Sequence, residues 1–288
     1  MTRMKSDTLD APGAVLTYDV RGNDSTTEPI LLIIGSPMGA SGFETLAGHF
    51  GDRTVVTYDP RGAGRSPRTD GASETTSDEH ADDLHRLISA LGDKPVDVFA
   101  SSGGATNALG LVARHPEQVR TLVAHEPPGS QVLPDREQAL AAAVDIHETY
   151  LRDGFGRAMA KFIALVSFEG PLPPDYGERP APDPAMFGLP ATDDGNRSDP
   201  LLGQNMISNS HYQLDFEALR GASTRIVIGV GEESSRAIAG RAATAVAERL
   251  GVKPVMFPGG HDGFIGNEHG RTGKPDAFAA KLREVLAA

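Results

Sequence analysis

Short apolar runs alternate along the chain with longer stretches whose apolar residues recur at helical spacing, the pattern of a mostly parallel sheet wrapped by helices. The runs predict strands at Val15–Val20, Ile30–Ile34, Thr54–Tyr58, Val96–Ala100, Thr121–Ala124, Arg225–Val230 and Pro254–Phe257. Helices are predicted between them at about 41–50, 77–92, 103–115, 236–250 and 275–287. A polar turn, RGNDSTTEP, separates the first two runs. It predicts that the sheet begins with an antiparallel hairpin made from them.

The alternation breaks after Pro128. Residues 134–168 read as two helices, DREQALAAAVDIHETYLR and GFGRAMAKFIALVSF, with no strand between them. From Gly170 to Pro200 the chain is rich in proline and reads as an extended, turn-rich loop. The strand pattern resumes at Thr224. The expected organisation is a core domain of residues 1–128 and 222–288, interrupted by a helical cap at 129–221. Such a cap would lie over the carboxyl edge of the sheet, where open α/β sheets bind ligands.

Composition narrows the chemistry. The chain has 288 residues, 39% hydrophobic and 23% charged, which suits a globular protein with a substantial core. Its net charge of −12 argues against nucleic-acid and anionic-membrane partners, both of which need a basic face. There is no cysteine, so disulfides, thiolate nucleophiles and thiolate metal sites are excluded. The segment MTRMKSDTLDAPG lacks the apolar stretch of a signal peptide, and no apolar run is long enough to span a membrane. A cytoplasmic protein acting on a small molecule is the expectation, with a homodimer left open.

Four segments carry candidate chemistry. In Val96-Asp97-Val98-Phe99-Ala100-Ser101-Ser102-Gly103-Gly104 an apolar strand passes through small residues into a helix. A strained nucleophile turn of the G-x-S-x-G kind needs small residues two positions either side of the serine. Ala100 and Gly104 meet that need around Ser102, whereas Ser101 would be flanked by Phe99 and Gly103. The second segment, Leu31–Ile34 followed by Gly35-Ser36-Pro37-Met38-Gly39, is a strand ending in a Gly/Pro turn. The third, Asp59-Pro60-Arg61-Gly62-Ala63-Gly64-Arg65-Ser66, follows the strand at 54–58 and lacks the Lys-Ser/Thr ending of a phosphate loop. In the fourth, Pro258-Gly259-Gly260-His261 follows a late strand and precedes the last helix. His115 and His147 read instead as surface residues.

The D-x-R-G-x-G-x-S pattern at 59–66, the Ser102 turn and the His261 loop together resemble the capped α/β-hydrolase superfamily over residues 12–287. The resemblance implies an α/β-hydrolase fold: a twisted, mostly parallel sheet of about eight strands, flanked by helices and carrying an inserted helical cap. It implies a catalytic triad in the order serine, acid, histidine, with Ser102 as nucleophile and His261 as base. It also implies an oxyanion hole formed by the backbone N–H groups of Ser36 and Gly103, and structural roles for Asp59 and Arg61.

The acid is open between two glutamates. Counting from Gly229, the family's usual G-x-x-D turn puts Glu232 at the acid position; counting from Gly231 it puts Ser234 there. Haloalkane dehalogenases of this superfamily can carry the acid at the tip of the strand after the nucleophile helix, which here ends in His125-Glu126-Pro127. Glu126 is therefore the first expectation and Glu232 the alternative. Asp262 adjoins His261 in sequence and reads as a surface residue.

Serine at the turn fits acyl transfer to water through an acyl-enzyme. The expected substrate is a small or medium-sized, largely apolar ester, lactone or thioester, with neither cofactor nor metal. Met38 and His125 are candidate pocket residues by position. So are some of Phe155, Met159, Phe162, Phe168, Met186, Phe187, Met206 and Tyr212, although helical spacing equally makes them cap core. C–C bond hydrolysis or cofactor-free perhydrolysis could use the same triad, and a non-catalytic ligand-binding homologue is the reading from another class.

Overall fold

The structure, a computed structural model, describes residues 3–22, 26–270 and 272–288. Among them, eight strands form one sheet: β1 (Arg3–Ala11), β2 (Ala14–Gly22), β3 (Leu31–Ile34), β4 (Val55–Tyr58), β5 (Val96–Ser101), β6 (Val119–His125), β7 (Arg225–Gly231) and β8 (Val255–Phe257). Their spatial order is β1-β2-β4-β3-β5-β6-β7-β8. β2 runs antiparallel to both its neighbours, and every other pairing is parallel. The helices are α1 (Glu44–Gly48), α2 (Ser77–Leu91), α3 (Gly103–Arg114), α4 (Arg136–Asp153), α5 (Phe155–Val166), α6 (Met206–Ser210), α7 (Phe216–Gly221), α8 (Ile238–Leu250) and α9 (Pro275–Ala287).

The period-two alternation of the strands divides the core between the two faces of the sheet. Leu32, Ile34, Val56, Val98, Leu122 and Ile228 pack with apolar residues of α2, α3 and α8. Their chain neighbours Leu31, Ile33, Val55, Phe99, Val123 and Val227 pack on the other face with α1 and α9. Each such Leu, Ile or Val contributes roughly 1.5–3 kcal/mol by leaving water. α2 starts at a reciprocal cap: Thr76 Oγ1 accepts from the Glu79 N–H (3.1 Å) and Glu79 Oε2 accepts from the Thr76 N–H (2.8 Å).

The expected hairpin between the first two predicted strands does not form. β2 instead folds back from β1 through Pro12 and Gly13, where glycine takes φ +76°. It then lies against β4, leaving β3 in the sheet interior. The burial of all four β3 residues requires neighbours on both edges and cover on both faces. Residues 23–25 of the predicted turn lie outside the described residues.

Between β6 and β7 the chain leaves the sheet. α4 and α5 pack on one another around Ala139, Ala143, Ile146, Tyr150, Ala158 and Leu165, a third apolar cluster. The proline-rich run that follows contains only short turns, at Tyr176–Glu178 and Pro184–Phe187. Its last proline, Pro200, begins a helical segment that the sequence reading did not anticipate: a π-helical stretch, Pro200–Asn205, continuing into α6. Proline is accommodated there because it opens the helix. Asp199 Oδ1 caps the start, accepting from the N–H groups of Leu201 (3.0 Å) and Leu202 (2.7 Å). This segment is tied to the core through Thr75 N–H to the Gln204 carbonyl (3.0 Å), Ser208 Oγ to the Thr75 carbonyl (2.5 Å) and His80 Nε2 with Asn205 Oδ1 (2.8 Å). Leu219 of α7 is already part of the core beside α3 and α8. Among the described residues, no helix is long and apolar enough to cross a membrane.

Candidate active site

Ser102 stands between β5 and α3 with φ 55° and ψ −130°, a conformation that costs a non-glycine residue about 1–3 kcal/mol. Its neighbours hold it there. The Ser102 N–H donates to the His125 carbonyl of the adjoining strand (2.9 Å), and its own carbonyl accepts from the Ala105 N–H (2.8 Å). The turn also passes very close to the end of β3. A Cβ on Gly104 would come within 2.7 Å of Gly35 Cα, and one on Gly103 within 2.6 Å of the Ser36 carbonyl oxygen. Both contacts are with backbone, which cannot yield, so both positions require glycine. Ser101 is buried below, with Oγ 3.5 Å from His125 Nδ1, while Ser102 is half-buried at the tip.

β6 runs beside β5 with His125 opposite Ser101, so the next residue, Glu126, emerges beside Ser102. Glu126 also takes a positive φ, 48°, and its N–H donates to the Gly229 carbonyl (3.0 Å). Its side chain is fully buried (0% exposed). Oε1 accepts from the Gly231 N–H (2.9 Å) and from Ser234 Oγ (2.5 Å), and Oε2 lies 2.7 Å from His261 Nδ1. Burial pushes this carboxyl up, but the hydrogen bond and charge of His261, with help from His125 and Ser234, outweigh it and hold the group at about 2. Glu126 is thus ionised at neutral pH. An ionised acceptor at Nδ1 keeps the proton of a neutral imidazole there and leaves the lone pair on Nε2. The His261 side chain remains 36% exposed.

The other glutamates lie apart from this contact. Glu232 is exposed, its backbone N–H donating to the Phe257 carbonyl (3.0 Å), and Glu233 pairs with Lys274 (2.6 Å). Ser234, one of the two positions reached by counting along the usual acid turn, hands its hydroxyl to Glu126. The sequence reading did not give Ser234 or Gly231 this part. The only signal was negative: counted from Gly231, the usual acid turn carries Ser234 and no carboxylate.

Ser36 is buried (6% exposed) beside Gly103, and Met38 is half-buried against Gly35 and Gly42. His125, expected among the pocket residues, is 0% exposed, so it presents no surface to a substrate. Its ring lies beneath the tip among Phe99, Phe257, Phe264 and Phe278, with centroids 5.2–6.3 Å away. Burial pushes its pKa down to about 4 and keeps it neutral. Most of the aromatic and methionine side chains of the insertion also pack inward: Met206 is buried, and Phe155, Met159, Phe162 and Phe168 pack against the same cluster. Met186 and Phe187 are exposed. A surface cavity of about 390 Å³ between Tyr150, Phe155, Pro190 and Pro200 belongs to the insertion alone.

The 59–66 segment braces the loops below. Asp59 accepts from the Ala40 N–H (2.7 Å), the Arg65 N–H (2.9 Å) and Arg65 Nε (2.7 Å). Arg61 makes a two-pronged contact with buried Asp83 (2.7 and 2.5 Å) and reaches Glu79 (3.0 Å). No group of three or more His, Asp or Glu side chains among the described residues is arranged to hold a metal ion.

Comparison with known proteins agrees with this architecture. A family model described as the alpha/beta hydrolase fold matches residues 28–176. The uncharacterized hydrolase YraK of Bacillus subtilis (strain 168) is 32% identical over 278 residues, covering 91% of each chain. Among solved structures, the enol-lactonase of Burkholderia xenovorans LB400 superposes with a TM-score of 0.68 at 18% identity, covering 98% of this chain and 100% of that one. A thermophilic esterase from Thermogutta terrifontis does so with a TM-score of 0.68 at 18% identity, covering 99% and 98%. At that identity the likeness is one of fold.

Proposed function

Because the chain belongs to the alpha/beta hydrolase fold family, we propose that it is a serine hydrolase that cleaves a small or medium-sized carboxylic ester through an acyl-enzyme. Ser102 Oγ attacks the ester carbonyl while His261 Nε2 takes its proton. The carbonyl oxygen becomes an oxyanion held by the backbone N–H groups of Gly103, at the start of α3, and of Ser36. Collapse expels the alcohol, which takes the proton from His261 and leaves the acyl group on Ser102. Water then attacks the acyl carbonyl with His261 again as base, releasing the acid and restoring the serine. Glu126 orients the imidazole and stabilises its cationic form; it stays ionised throughout.

The observation that carries this reading is the 2.7 Å contact between His261 Nδ1 and a fully buried, ionised Glu126, one register step from the strained Ser102. A buried carboxylate is costly unless paired, and here both its oxygens are engaged. The esterase and enol-lactonase structures of the same fold support an ester-like substrate. The helical insertion would act as a cap over the site. A fluorophosphonate probe tests the proposal: it should label the wild-type protein and fail on Ser102→Ala. Equal labelling of the two proteins, or none of the wild type, would overturn it.

A further inference from the structure

The turn after β7 supplies the donors that hold one oxygen of the Glu126 carboxylate. Oε1 accepts from the Gly231 N–H (2.9 Å) and from Ser234 Oγ (2.5 Å). The alternative acceptor for the Ser234 hydroxyl, the Gly231 carbonyl, is 3.4 Å away, at the long limit of a hydrogen bond. The hydroxyl proton is therefore committed to the carboxylate, in a charge-assisted bond of the stronger kind.

That turn is fixed on several sides. The Ala237 N–H donates to the Ser234 carbonyl (2.9 Å), and a Cβ on Gly240 of α8 would collide with the same carbonyl oxygen. The N–H groups of Glu232 and Glu233 donate to the carbonyls of Phe257 (3.0 Å) and Gly259 (2.9 Å), on the chain leading to His261. A Cβ on Gly231 would meet both Ser234 Oγ (2.5 Å) and the Gly260 carbonyl oxygen (2.8 Å). One braced turn thus touches the carboxylate and the loop that carries the imidazole. Its two donors on Oε1 leave Oε2, 2.7 Å from His261 Nδ1, to face the ring. They also act on charge, because a donor to a carboxylate stabilises its ionised form. Burial pushes the Glu126 carboxyl up, and His261, then His125 and Ser234, bring it down to about 2.

We propose, resting on the serine-hydrolase reading above, that Ser234 is a positioning residue for the general base. Its hydroxyl fixes the Glu126 carboxylate with Oε2 toward His261, and it draws negative charge toward Oε1, away from the imidazole. Ser234 acts through Glu126 and touches no substrate. His125, neutral with its ring 6.3 Å away, Asp262, and the exposed Glu232, Glu233 and Lys274 also surround the imidazole. The substitutions at 234 leave all of them in place.

The test uses Ser234→Ala together with Ser234→Thr and Ser234→Val, two variants of equal shape with and without the hydroxyl. With p-nitrophenyl butyrate, loss of the hydroxyl should lower kcat about tenfold and leave KM within about twofold, the scale of one hydrogen bond to a charged group. The acid limb of the kcat/KM profile should move up by about 0.5 pH, since a carboxylate without that donor favours the imidazolium more strongly. Ser234→Thr should stay near wild type in both respects, and Ser234→Val should follow Ser234→Ala. A serine with a merely structural role would lower the yield of folded enzyme and leave the limb in place. The downfield proton resonance of His261 Nδ1–H, assigned by its loss in Glu126→Gln, reads the same contact without turnover. It should shift in Ser234→Ala and hold in Ser234→Thr. An unmoved limb and resonance in Ser234→Ala, or a Ser234→Thr enzyme no better than Ser234→Val, overturns the inference. Should Ser234→Ala not fold, as judged by circular dichroism, the Thr and Val variants decide alone. Fluorophosphonate labelling of wild type separates the two levels. Labelled protein with an unmoved limb refutes this inference only; unlabelled wild type refutes the serine reading and this with it.

Discussion

Replacing Glu126 by glutamine removes one charge and almost no volume. Its consequence follows from the three contacts of the carboxylate. Oε1 lies 2.9 Å from the Gly231 N–H and 2.5 Å from Ser234 Oγ; Oε2 lies 2.7 Å from His261 Nδ1. The glutamine oxygen will keep the Gly231 side, because a backbone N–H cannot turn away from an amide NH2 group. The NH2 group then faces His261 Nδ1 and forces that nitrogen to accept. The imidazole proton moves to Nε2, which can no longer take the serine proton. This reversal, together with the lost stabilisation of the imidazolium, is worth about 10³–10⁴ in kcat, or about 4–5.5 kcal/mol. Hydrolysis of p-nitrophenyl butyrate measures it, with circular dichroism to confirm folding and Glu232→Gln, at an exposed position, as the control. The control should change kcat less than about threefold. A Glu126→Gln enzyme within tenfold of wild type, or a larger loss in Glu232→Gln, would refute the reasoning.

Arg61→Ala should destabilise the fold by about 3–5 kcal/mol, because it strands the fully buried Asp83 carboxylate without its two-pronged partner. Thermal unfolding reads this, and a loss under about 1 kcal/mol would contradict the bracing role. Stability should also fall with acid as two buried histidines are forced to take up protons. Burial holds His80 and His125 at about 4 against an ordinary value of 6.5. Since the folded values are depressed, the unfolded chain binds protons first, so the full stability is present above pH 6.5 and is lost as pH falls toward 4. At pH 5 the loss is about 2 kcal/mol for each histidine. Urea unfolding at pH 7 and 5 measures the sum, and His125→Phe should remove about half of the difference; an unchanged pH dependence in that variant would sink the assignment.

The sheet was legible in the sequence wherever a strand is buried. β3, β4 and β5 read as apolar runs because helices cover both their faces. β1 was missed for the opposite reason: it is an edge strand, mostly exposed, and Met4 and Leu9 are its only large apolar residues. With β1 unseen, β2 was assigned a hairpin with the wrong partner. The helix opened by Pro200 was hidden in a proline-rich stretch, since composition over many residues does not reveal one proline placed at a helix start beside an aspartate cap. At the site, Ser102 and His261 could be singled out because steric need and loop chemistry are local. Glu126 and Glu232 could not be ranked by anything local, because their difference is a matter of which carboxylate meets the imidazole across 135 positions of chain.

The central claim is that an acyl group passes through Ser102. Mass spectrometry of protein quenched in acid within milliseconds of mixing with p-nitrophenyl butyrate tests it directly. The account predicts a butyryl adduct on the peptide containing Ser102, accumulating further when the leaving group is good and absent in Ser102→Ala. Ester turnover without any adduct on that peptide, or an adduct on another residue that is chemically competent for turnover, would contradict it.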